Sequence, residues 1–288
     1  MPHTLSIIIP ARDEAEGLER LLPALRTQHP DAEILVVDDG SADATRAVGL
    51  RHGATVISHP YGQGNGAAVK TGARVASGAV LVFMDADGQH DPNDIARLTA
   101  ALEQGYDMVI GARDGASQAS LWRGIGNRLY NRLASWMVGH RIDDLTSGFR
   151  AVRAAKFREF LFLLPNGFSY PTTSTMAFFR AGYALAFVPI HAGKRLGRSH
   201  IHPLRDSLRF FMIIFRVATL YSPLKLFLPI SAAFFVLGLI RYSYTYALHG
   251  TFTNMSALLL IMAVLVFLIG LVSEQITMLV YQASHKDR

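Results

Sequence analysis

The 288-residue sequence contains no cysteine, which excludes disulfide bonds and thiolate metal sites. It also has no internal repeat and no low-complexity segment. The N-terminus lacks a signal-peptide pattern, because residues 5–10 form only a short apolar run with no cleavage site behind it. We therefore expect the N-terminal part of the chain to stay in the cytoplasm.

Hydrophobic residues make up 50% of the sequence, but they are unevenly distributed. Residues 1–200 have the composition of an ordinary soluble domain, whereas residues 224–280 are almost continuously apolar. The composition changes near Pro203. A chain of this length can bury one sizeable core, and its C-terminal part is predicted to be a membrane segment.

The formal net charge is +6, and much of the excess lies in one cluster directly before the apolar segment. This position favours lipid headgroups and phosphorylated substrates over nucleic acid as partners. The cluster consists of Lys194, Arg195, Arg198, Arg205, Arg209 and Arg216.

In residues 205–221, a helical period of 3.6 residues would bring the arginines to within about 40° of one another, with apolar residues between them in the sequence. This pattern predicts an amphipathic helix on the membrane surface. An amphipathic helix packed on the soluble core is the alternative.

Residues 224–248 and 257–280 each reach the roughly 20 residues needed to cross a bilayer. The connector 249–256 contains no Lys or Arg, so the positive-inside rule predicts a hairpin with both ends in the cytoplasm.

Arg241 and Glu274 are polar residues within the two predicted membrane spans. Arg241 and Glu274 lie toward opposite faces of the membrane in this topology, so a salt bridge between them within one subunit is not expected. We expect Arg241 to reach outward and Glu274 to face another helix or the cytoplasmic interface. The predicted organisation is a cytoplasmic domain (1–200), an amphipathic juxtamembrane helix (201–223), a transmembrane hairpin (224–281) and a cytoplasmic tail (282–288).

Short apolar or β-branched runs alternate with stretches of helical periodicity in the first part of the chain. The predicted strands are 5–9, 33–37, 55–58, 80–84 and 107–110, with helices such as 14–26 and 67–76 between them. This alternation predicts an α/β fold with a mostly parallel sheet covered on both faces. Ligands bind beyond the carboxyl ends of such strands, and polar residues follow the first, second and fourth of them.

Asp85 and Asp87 follow the fourth predicted strand and are separated by one residue. Two carboxylates in this arrangement can hold a hard divalent cation, Mg²⁺ or Mn²⁺, that bridges a diphosphate. Gln89 adds a neutral oxygen ligand two residues on. A solvated turn is the alternative for an isolated Asp-x-Asp pair, but the polar residues after the neighbouring strands favour a metal site.

Asp38 and Asp39 end the second predicted strand, where a carboxylate can accept a hydrogen bond from a base N–H or a ribose hydroxyl. Because side chains alternate along a strand, we expect only one of them to face the pocket, and we favour Asp39. The alternative is a capped turn into the helix at Ser41. The glycine-rich loop 62–66 follows the third strand, so we interpret it as a tight loop that lets helix and nucleotide approach each other.

Taken in order, these motifs resemble those of glycosyltransferase family 2. The resemblance rests on residues 7–14, 37–41, the glycine loop and residues 84–90. Residues 111–113, 123–131, 144–150 and 197–200 also resemble the dolichol-phosphate mannosyltransferase branch, and the bactoprenol glucosyltransferases share the plan with two C-terminal spans. The resemblance implies a glycosyltransferase-A type, Rossmann-like fold. It also implies transfer of a sugar from GDP-mannose or a UDP-hexose to a membrane polyprenyl or dolichyl phosphate.

The resemblance assigns roles to individual positions of this chain. Contact with the nucleotide-sugar is implied for Pro10, Arg12, Glu14, Asp38, Asp39, Asp85, Ala86, Asp87, Gln89, Lys194 and His200. Contact with the acceptor phosphate is implied for Arg113, Arg123, Asn127 and Ser147. The implied catalytic set is Asp87, Arg113, Arg123, Asp144 and Lys194, and the implied ligands of Mg²⁺ or Mn²⁺ are Asp85, Asp87 and Gln89.

The chain departs from the family pattern at two places. Lys194 and His200 stand where the family has Arg and Lys, so the clamp over the diphosphate is expected to carry less charge at neutral pH. Residues 171–175 lack the acidic residue that the family has there. Asp144 is expected to orient Arg113 or Arg123, to act as a base, or to belong to a structural turn before Thr146.

The acceptor determines the expected mechanism. A phosphate monoester is already ionised near neutral pH, so it needs little help from a general base. Because the family inverts, we expect in-line attack of the lipid phosphate on the anomeric carbon. The metal and Lys194 would stabilise the departing diphosphate.

Three other functions fit the sequence less well. A processive polysaccharide synthase would need more membrane spans and a tryptophan cluster, whereas the chain has only Trp122 and Trp136. A catalytically inactive nucleotide-binding membrane scaffold conflicts with the intact Asp85, Asp87 and Arg113. A dehydrogenase is disfavoured by the position of the glycine loop. The expected partners are a nucleotide-sugar, a polyprenyl phosphate and the membrane, with no nucleic acid; a homo-oligomer stays open.

Overall fold

The computed structural model describes residues 4–113, 121–167, 169–191, 193, 215, 219 and 221–286, and for residues 121–127, 129 and 283–286 it describes the backbone alone. The chain divides into two compact units, Met1–Pro203 and Leu204–Arg288.

The first unit is built around a seven-stranded sheet with the order β3-β2-β1-β4-β6-β5-β7. The described strand pairs are parallel except for those of β6, which runs antiparallel to β4 and β5. The prediction of an α/β fold with a mostly parallel sheet is confirmed. The strands are β1 Leu5–Ala11, β2 Glu33–Asp38, β3 Thr55–Ser58, β4 Val80–Phe83, β5 Met108–Arg113, β6 Arg150–Arg153 and β7 Leu185–Ile190.

Helices cover both faces of this sheet. In α1, Leu18, Leu22 and Leu25 recur at helical spacing and are buried, so one stripe of the helix faces the core. The helices of the first unit are α1 Ala15–Gln28, α2 Thr45–Arg51, α3 Asn65–Val75, α4 Asp94–Glu103, α5 Leu121–Val138, α6 Ala154–Arg158 and α7 Tyr170–Arg180.

The central position of β1 in the sheet explains why its sequence is a continuous apolar run. Ile7, Ile8 and Ile9 are all fully buried, because helices pack on both faces of the sheet. Ile7 and Ile9 belong to one core cluster with Leu18 of α1. Gly72 of α3 lies on Ile8, and a Cβ there would overlap the Ile8 side chain. The glycine therefore lets α3 pack close to the sheet.

The five predicted strands are present with slightly different ends, whereas β6 and β7 were not predicted. β6 has only two apolar residues between Arg150 and Arg153, which is too short a pattern to identify a strand. β7 lies at the edge of the sheet, is mostly half-buried and contains Pro189, which a sheet tolerates at an edge.

The second unit contains two long apolar helices, α8 Pro223–His249 and α9 Asn254–Lys286. Their lengths and mean hydropathies of 2.0 and 3.0 make them candidate membrane spans, at the positions predicted for the hairpin. Small residues allow close packing, since a Cβ at Gly238 would lie 2.9 Å from Leu260. The predicted amphipathic helix 205–221 lies largely outside the described residues.

Arg241 and Glu274, which were singled out within the predicted hairpin, have different surroundings. Glu274 of α9 accepts a hydrogen bond from the backbone N–H of Leu224, at 3.3 Å, in the first turn of α8. A carboxylate therefore satisfies a free donor at the positive end of the neighbouring helix, and the expectation that Glu274 faces another helix is confirmed. Arg241 is exposed on α8, with its guanidinium 6.0 Å from the centre of the Tyr244 ring.

Candidate active site

A cleft of about 420 Å³ lies beyond the carboxyl ends of β1, β2 and β4. The strand order changes direction at β1, whose neighbours are β2 and β4, and this is where α/β sheets bind ligands. A second hollow, of about 310 Å³ on α8, is lined by apolar side chains and offers no group for chemistry. The cleft is lined by Pro10, Ala11, Arg12, Glu14, Asp39, Gly64, Asn65, Ala68, Asp85, Ala86, Asp87, Gln89, Thr146, Gly148, Tyr170 and Pro171.

The cleft brings together most of the residues predicted to contact the nucleotide-sugar. Those that line it are Pro10, Arg12, Glu14, Asp39, Asp85, Ala86, Asp87 and Gln89. Lys194 and His200 lie outside the described residues. Arg123 and Asn127 are on α5, but their side chains also lie outside what the structure describes.

Of the two adjacent aspartates, Asp39 lines the cleft and Asp38 does not. The Asp38 carboxylate accepts hydrogen bonds from the Ser41 backbone N–H at 2.9 Å and from the Ser58 hydroxyl at 3.1 Å. It therefore holds the turn after β2 and the end of β3, while strand alternation directs Asp39 to the other side.

The Asp39 carboxylate also anchors the glycine loop. It accepts hydrogen bonds from the backbone N–H groups of Gln63 and Gly64, at 2.8 and 2.7 Å, and lies 2.7 Å from Nδ1 of His59. Burial works to raise the pKa of Asp39, but the hydrogen bonds from His59, Gln63 and Gly64 outweigh it and hold this pKa below its usual value. Asp39 is therefore an ionised acceptor in the cleft wall.

The glycine loop packs against the segment that precedes α7. Gly64 has a φ of +107°, which glycine adopts without strain, and it directly precedes α3. A Cβ at Gly66 would overlap the carbonyl oxygen of Pro165, so no larger residue fits there. Lys70 Nζ donates to the Leu164 carbonyl oxygen at 3.0 Å. These contacts connect one wall of the cleft to the chain that leads into Tyr170 of α7.

Asp85, Asp87 and Gln89 form the acidic end of the cleft. The Gln89 backbone N–H donates to Asp87 Oδ1 at 3.2 Å, and a Cβ at Gly148 would lie 3.0 Å from Asp85 Oδ2. In the part of the chain that the structure describes, no three His, Asp or Glu side chains are grouped as a metal site. Mg²⁺ commonly binds one or two carboxylates together with substrate phosphates, so two aspartates and an amide fit a metal that arrives with a diphosphate.

His90 follows this acidic segment and is buried. Its ring stacks on Phe149, with centroids 4.9 Å apart and an interplanar angle of 18°. Burial lowers the pKa of His90, although the charges of Asp85 and Asp87 act in the opposite direction. His90 therefore supports the end of β4 as a neutral packing residue.

Arg113 and Asp144 form a two-point ion pair beside the cleft. Arg113 donates from Nε and Nη2 to the two Asp144 oxygens, at 2.7 and 3.1 Å, and from Nη2 to the Thr146 hydroxyl at 2.7 Å. Burial opposes ionisation of both groups, but their pairing raises the pKa of Arg113 and lowers that of Asp144. Asp144 also accepts from the backbone N–H groups of Thr146 and Ser147, so it both orients Arg113 and caps the turn.

Ser147 was predicted to contact the acceptor phosphate, but it does not line the cleft. Its residue surface is 1% exposed, and its Oγ is a buried atom without a hydrogen-bond partner among the described residues. Its backbone carbonyl accepts a hydrogen bond from Arg150. Its position does not support the predicted phosphate contact, because a phosphate would have to reach a side chain enclosed by protein.

Sequence reasoning missed the buried Arg150, which bonds to the first two turns of α7. Arg150 is 0% exposed, and its Nη1 donates to the Pro171 carbonyl at 3.0 Å, to Ser174 Oγ at 2.7 Å and to Thr175 Oγ1 at 3.2 Å. The hydroxyls of Ser174 and Thr175, in the stretch where an acidic residue was expected, thus solvate an internal cation. Arg150 belongs to the motif 144–150, which was the available signal.

Tyr170 connects this buried arginine to the cleft. Its ring lies 5.7 Å from the Arg150 guanidinium carbon, and its hydroxyl donates to the Gly148 carbonyl at 3.3 Å. Burial raises the pKa of Tyr170, and the charge of Asp85 adds to this effect. Tyr170 lines the cleft as a neutral phenol and was not predicted.

Two family models match the chain. Residues 6–161 match the model described as Glycosyl transferase family 2, and residues 222–279 match the model described as the GtrB C-terminal hairpin. The second match covers most of α8 and α9.

Curated relatives align with most of the chain. Glycosyltransferase AglJ of Haloferax volcanii is 30% identical over 245 residues, which cover 83% of this chain and 80% of that protein. An undecaprenyl-phosphate 4-deoxy-4-formamido-L-arabinose transferase of Pseudomonas fluorescens is 30% identical over 259 residues, covering 83% of this chain and 71% of that protein. A polyprenol monophosphomannose synthase of Mycolicibacterium smegmatis is 30% identical over 203 residues, covering 64% of this chain and 75% of that protein.

A solved structure shows the same fold. Glucosyl-3-phosphoglycerate synthase from Mycobacterium tuberculosis, in complex with Mn²⁺, UDP and phosphoglyceric acid, superposes with a TM-score of 0.60. It is 23% identical to this chain, and the match covers 75% of this chain and 77% of that one. The family model matches more than half of the sequence, and the chain therefore belongs to glycosyl transferase family 2 and is a glycosyltransferase.

Proposed function

We propose that this enzyme transfers a sugar, with inversion, from a nucleotide-sugar to a polyprenyl phosphate in the membrane. The observation that carries the proposal is an acidic nucleotide cleft beside the paired cation Arg113, in a chain with two candidate membrane spans. Two of the relatives are, by name, an undecaprenyl-phosphate sugar transferase and a polyprenol monophosphomannose synthase, which supports a polyprenyl phosphate as acceptor.

The donor is proposed to occupy the cleft, as GDP-mannose or a UDP-hexose. Asp39 is buried and ionised, so it offers an acceptor for a base N–H or a ribose hydroxyl. Asp85, Asp87 and Gln89 would hold Mg²⁺ or Mn²⁺. The glucosyl-3-phosphoglycerate synthase of similar fold, which was solved with Mn²⁺ and UDP, supports this assignment. The metal would supply positive charge to the diphosphate as it leaves. Lys194 and His200 are proposed as further cations for the same diphosphate.

The acceptor phosphate is proposed to bind at Arg113, with Arg123 and Asn127 of α5. Asp144 and Thr146 engage Nε and Nη2 of Arg113, and 30% of the Arg113 side chain remains exposed. A phosphate can therefore reach a guanidinium whose orientation is already set. A second anion beside the diphosphate needs this cation, because two phosphate groups in close proximity repel each other strongly.

Catalysis then depends on positioning and charge more than on proton transfer. The attacking phosphate monoester is already ionised at neutral pH, so no side chain has to remove a proton from it. Asp144 is a poor candidate for a base, because Arg113 and backbone N–H groups occupy its oxygens, and the bonds from Arg113 and Thr146 outweigh burial and lower its pKa. We assign Asp144 the role of positioning Arg113 for in-line attack.

The proposed arrangement keeps the catalytic domain, residues 1–200, on the cytoplasmic side of the membrane. The hairpin 224–281 would anchor it, and the segment 201–223 would lie at the interface. In a bacterium this membrane would be the inner membrane.

The test is a turnover assay on the full-length enzyme in lipid vesicles with a panel of labelled nucleotide-sugars. We expect labelled polyprenyl-phosphate sugar in the lipid extract with one class of donor, only when polyprenyl phosphate and Mg²⁺ or Mn²⁺ are present. Asp87→Ala is the inactive control. A labelled polymer formed without polyprenyl phosphate would instead identify a polysaccharide synthase, and nucleotide binding without transfer to any acceptor would favour a scaffold.

A further inference from the structure

Helix α5 carries an exposed basic and aromatic stripe that the proposed transfer reaction does not use. Arg128, Arg132 and Trp136 follow one another at intervals of four residues, and all three are exposed. Four residues of α-helix return to within about 40° of the starting direction, so these side chains lie on one face. We call this set the α5 basic patch.

The opposite face of α5 is a normal core-facing surface. Tyr130, Ala134 and Met137 are buried at helical spacing, and the Tyr130 hydroxyl donates to Thr172 Oγ1 of α7 at 3.1 Å. The helix is therefore held firmly on the catalytic unit. The patch has a defined orientation and does not belong to a loose segment.

Tryptophan is the unusual member of the patch. Trp136 is 54% exposed, although a side chain of this size is normally largely buried. Among the described residues neither Arg128 nor Arg132 forms an ion pair, whereas Arg141, just beyond the helix, pairs with Asp143 at 2.7 Å. The patch thus combines positive charge that no described carboxylate pairs with and an exposed indole.

We propose that the α5 basic patch docks on the headgroups of anionic phospholipids. Arginines near an anionic bilayer are attracted by its surface potential, and tryptophan partitions to the boundary between headgroups and acyl chains. The same chain carries two candidate membrane spans, which would tether the catalytic unit to a bilayer. The patch would hold the N-terminal end of α5, with Arg123 and Asn127, close to the membrane.

This inference rests on the proposed function for its purpose, since an enzyme acting on a lipid phosphate gains from a catalytic unit that lies on the bilayer. It does not depend on that function for its test. Contact between Trp136 and lipid can be measured whether or not sugar is transferred.

The experiment uses the full-length chain with Trp122→Phe, which leaves Trp136 as the one tryptophan of the sequence. The protein is reconstituted in vesicles of phosphatidylcholine and phosphatidylglycerol, in which phosphatidylcholine is brominated or unbrominated. We expect brominated lipid to quench Trp136 emission and iodide in the buffer to quench it weakly. Because the chain has no cysteine, Trp136→Cys labelled with an environment-sensitive fluorophore provides a second readout if Trp122→Phe does not fold.

Charge reversal separates a lipid contact from simple proximity. In Arg128→Glu/Arg132→Glu, each removed cation should lower the ratio of docked to undocked states roughly fivefold, so quenching by brominated lipid should largely disappear. In vesicles without phosphatidylglycerol, quenching by brominated lipid should also largely disappear for the protein that retains Arg128 and Arg132. Arg20→Glu/Arg51→Glu is the matched control, because both residues are exposed arginines elsewhere on the same unit and the change in net charge is equal.

Three results would overturn the proposal. Strong quenching by iodide with none by brominated lipid would show that the patch faces water. Protection of Trp136 from both quenchers would show that protein, such as a second copy of the chain, covers it. Equal loss of lipid quenching in the control pair would show that net charge, and not this patch, governs the contact.

Discussion

The guanidinium of Arg113 donates to both carboxylate oxygens of Asp144, at 2.7 and 3.1 Å, although the two residues are 31 positions apart. The Asp144 side chain is 9% exposed and that of Arg113 is 30% exposed. The pair is thus largely enclosed on the carboxylate side and open on the cationic side. This asymmetry suits a residue that presents positive charge to a substrate anion.

Arg113→Ala should lower transfer at least tenfold while nucleotide affinity changes little, because a charge-assisted contact contributes ~1.5–3 kcal/mol. Initial rates at varied polyprenyl phosphate, and binding of the nucleotide alone, measure the two effects on the same preparation. The loss should fall on the acceptor dependence. A lost nucleotide affinity with normal acceptor dependence would refute the assignment.

Stability has to be followed alongside, since removing Arg113 leaves the enclosed Asp144 without its partner. Thermal unfolding of Arg113→Ala, Asp144→Ala and the double variant forms a thermodynamic cycle. We expect the double variant to be destabilised by less than the sum of the single variants, with a coupling of roughly 0.5–3 kcal/mol. If the double variant recovers stability but not transfer, the role of Arg113 in transfer is separated from its role in folding.

The Asp144 interaction should also give stability a defined pH dependence. The folded state lowers the pKa of Asp144 from 3.8, so its contribution is complete above that pH and is lost as the pH falls through the folded-state pKa. The difference in melting temperature between the natural enzyme and Asp144→Asn should be constant from about pH 7 to pH 5 and shrink below about pH 4. A difference that grows on acidification would contradict this prediction.

Transfer should require Mg²⁺ or Mn²⁺, because Asp85, Asp87 and Gln89 supply the oxygen ligands that these ions prefer. Asp87→Ala should abolish transfer and leave the melting temperature of the metal-free protein nearly unchanged. Asp91→Ala, an exposed aspartate of the same loop, is the control and should remain active. Full turnover in excess chelator would show that transfer does not require a metal ion.

Arg150→Met should destabilise the catalytic unit strongly. Arg150 is fully buried, and its loss would remove the Arg150 donor from the buried Ser147 carbonyl and break the bonds to Pro171 and Ser174, at a cost of about 3 kcal/mol or more. Arg153→Met, at the other end of β6, removes a side chain that is 44% exposed and should cost less than about 1 kcal/mol. Similar melting temperatures for the two variants would contradict the assigned role of Arg150.

The hairpin topology predicts that a cysteine at Thr251, in the connector between α8 and α9, is labelled only from the extracytoplasmic face. The natural chain contains no cysteine, so the signal comes from this position alone. A membrane-impermeant thiol reagent applied to intact cells and to inverted vesicles makes the comparison. A cysteine at the exposed Asp91 is the control for the cytoplasmic side, and labelling of Thr251→Cys from that side would overturn the topology.

Local sequence patterns were sufficient for the features that depend on nearby residues. The apolar run of β1, the helical spacing of α1 and the two candidate spans were predicted because each is a repeat of hydrophobicity along the chain. Asp85 and Asp87 were predicted as cleft residues because the carboxyl end of a parallel strand is a known ligand position. Asp39 was separated from Asp38 by strand alternation alone.

The tertiary structure decided what depends on residues far apart in the chain. β6 enters the sheet between β4 and β5, and this places the turn 144–148 against the cleft, pairs Asp144 with Arg113 and buries Ser147. The same insertion encloses Arg150, whose solvation comes from α7. A pattern along the sequence cannot specify such contacts, because the free energy of a buried charge depends on which distant groups the fold brings to it.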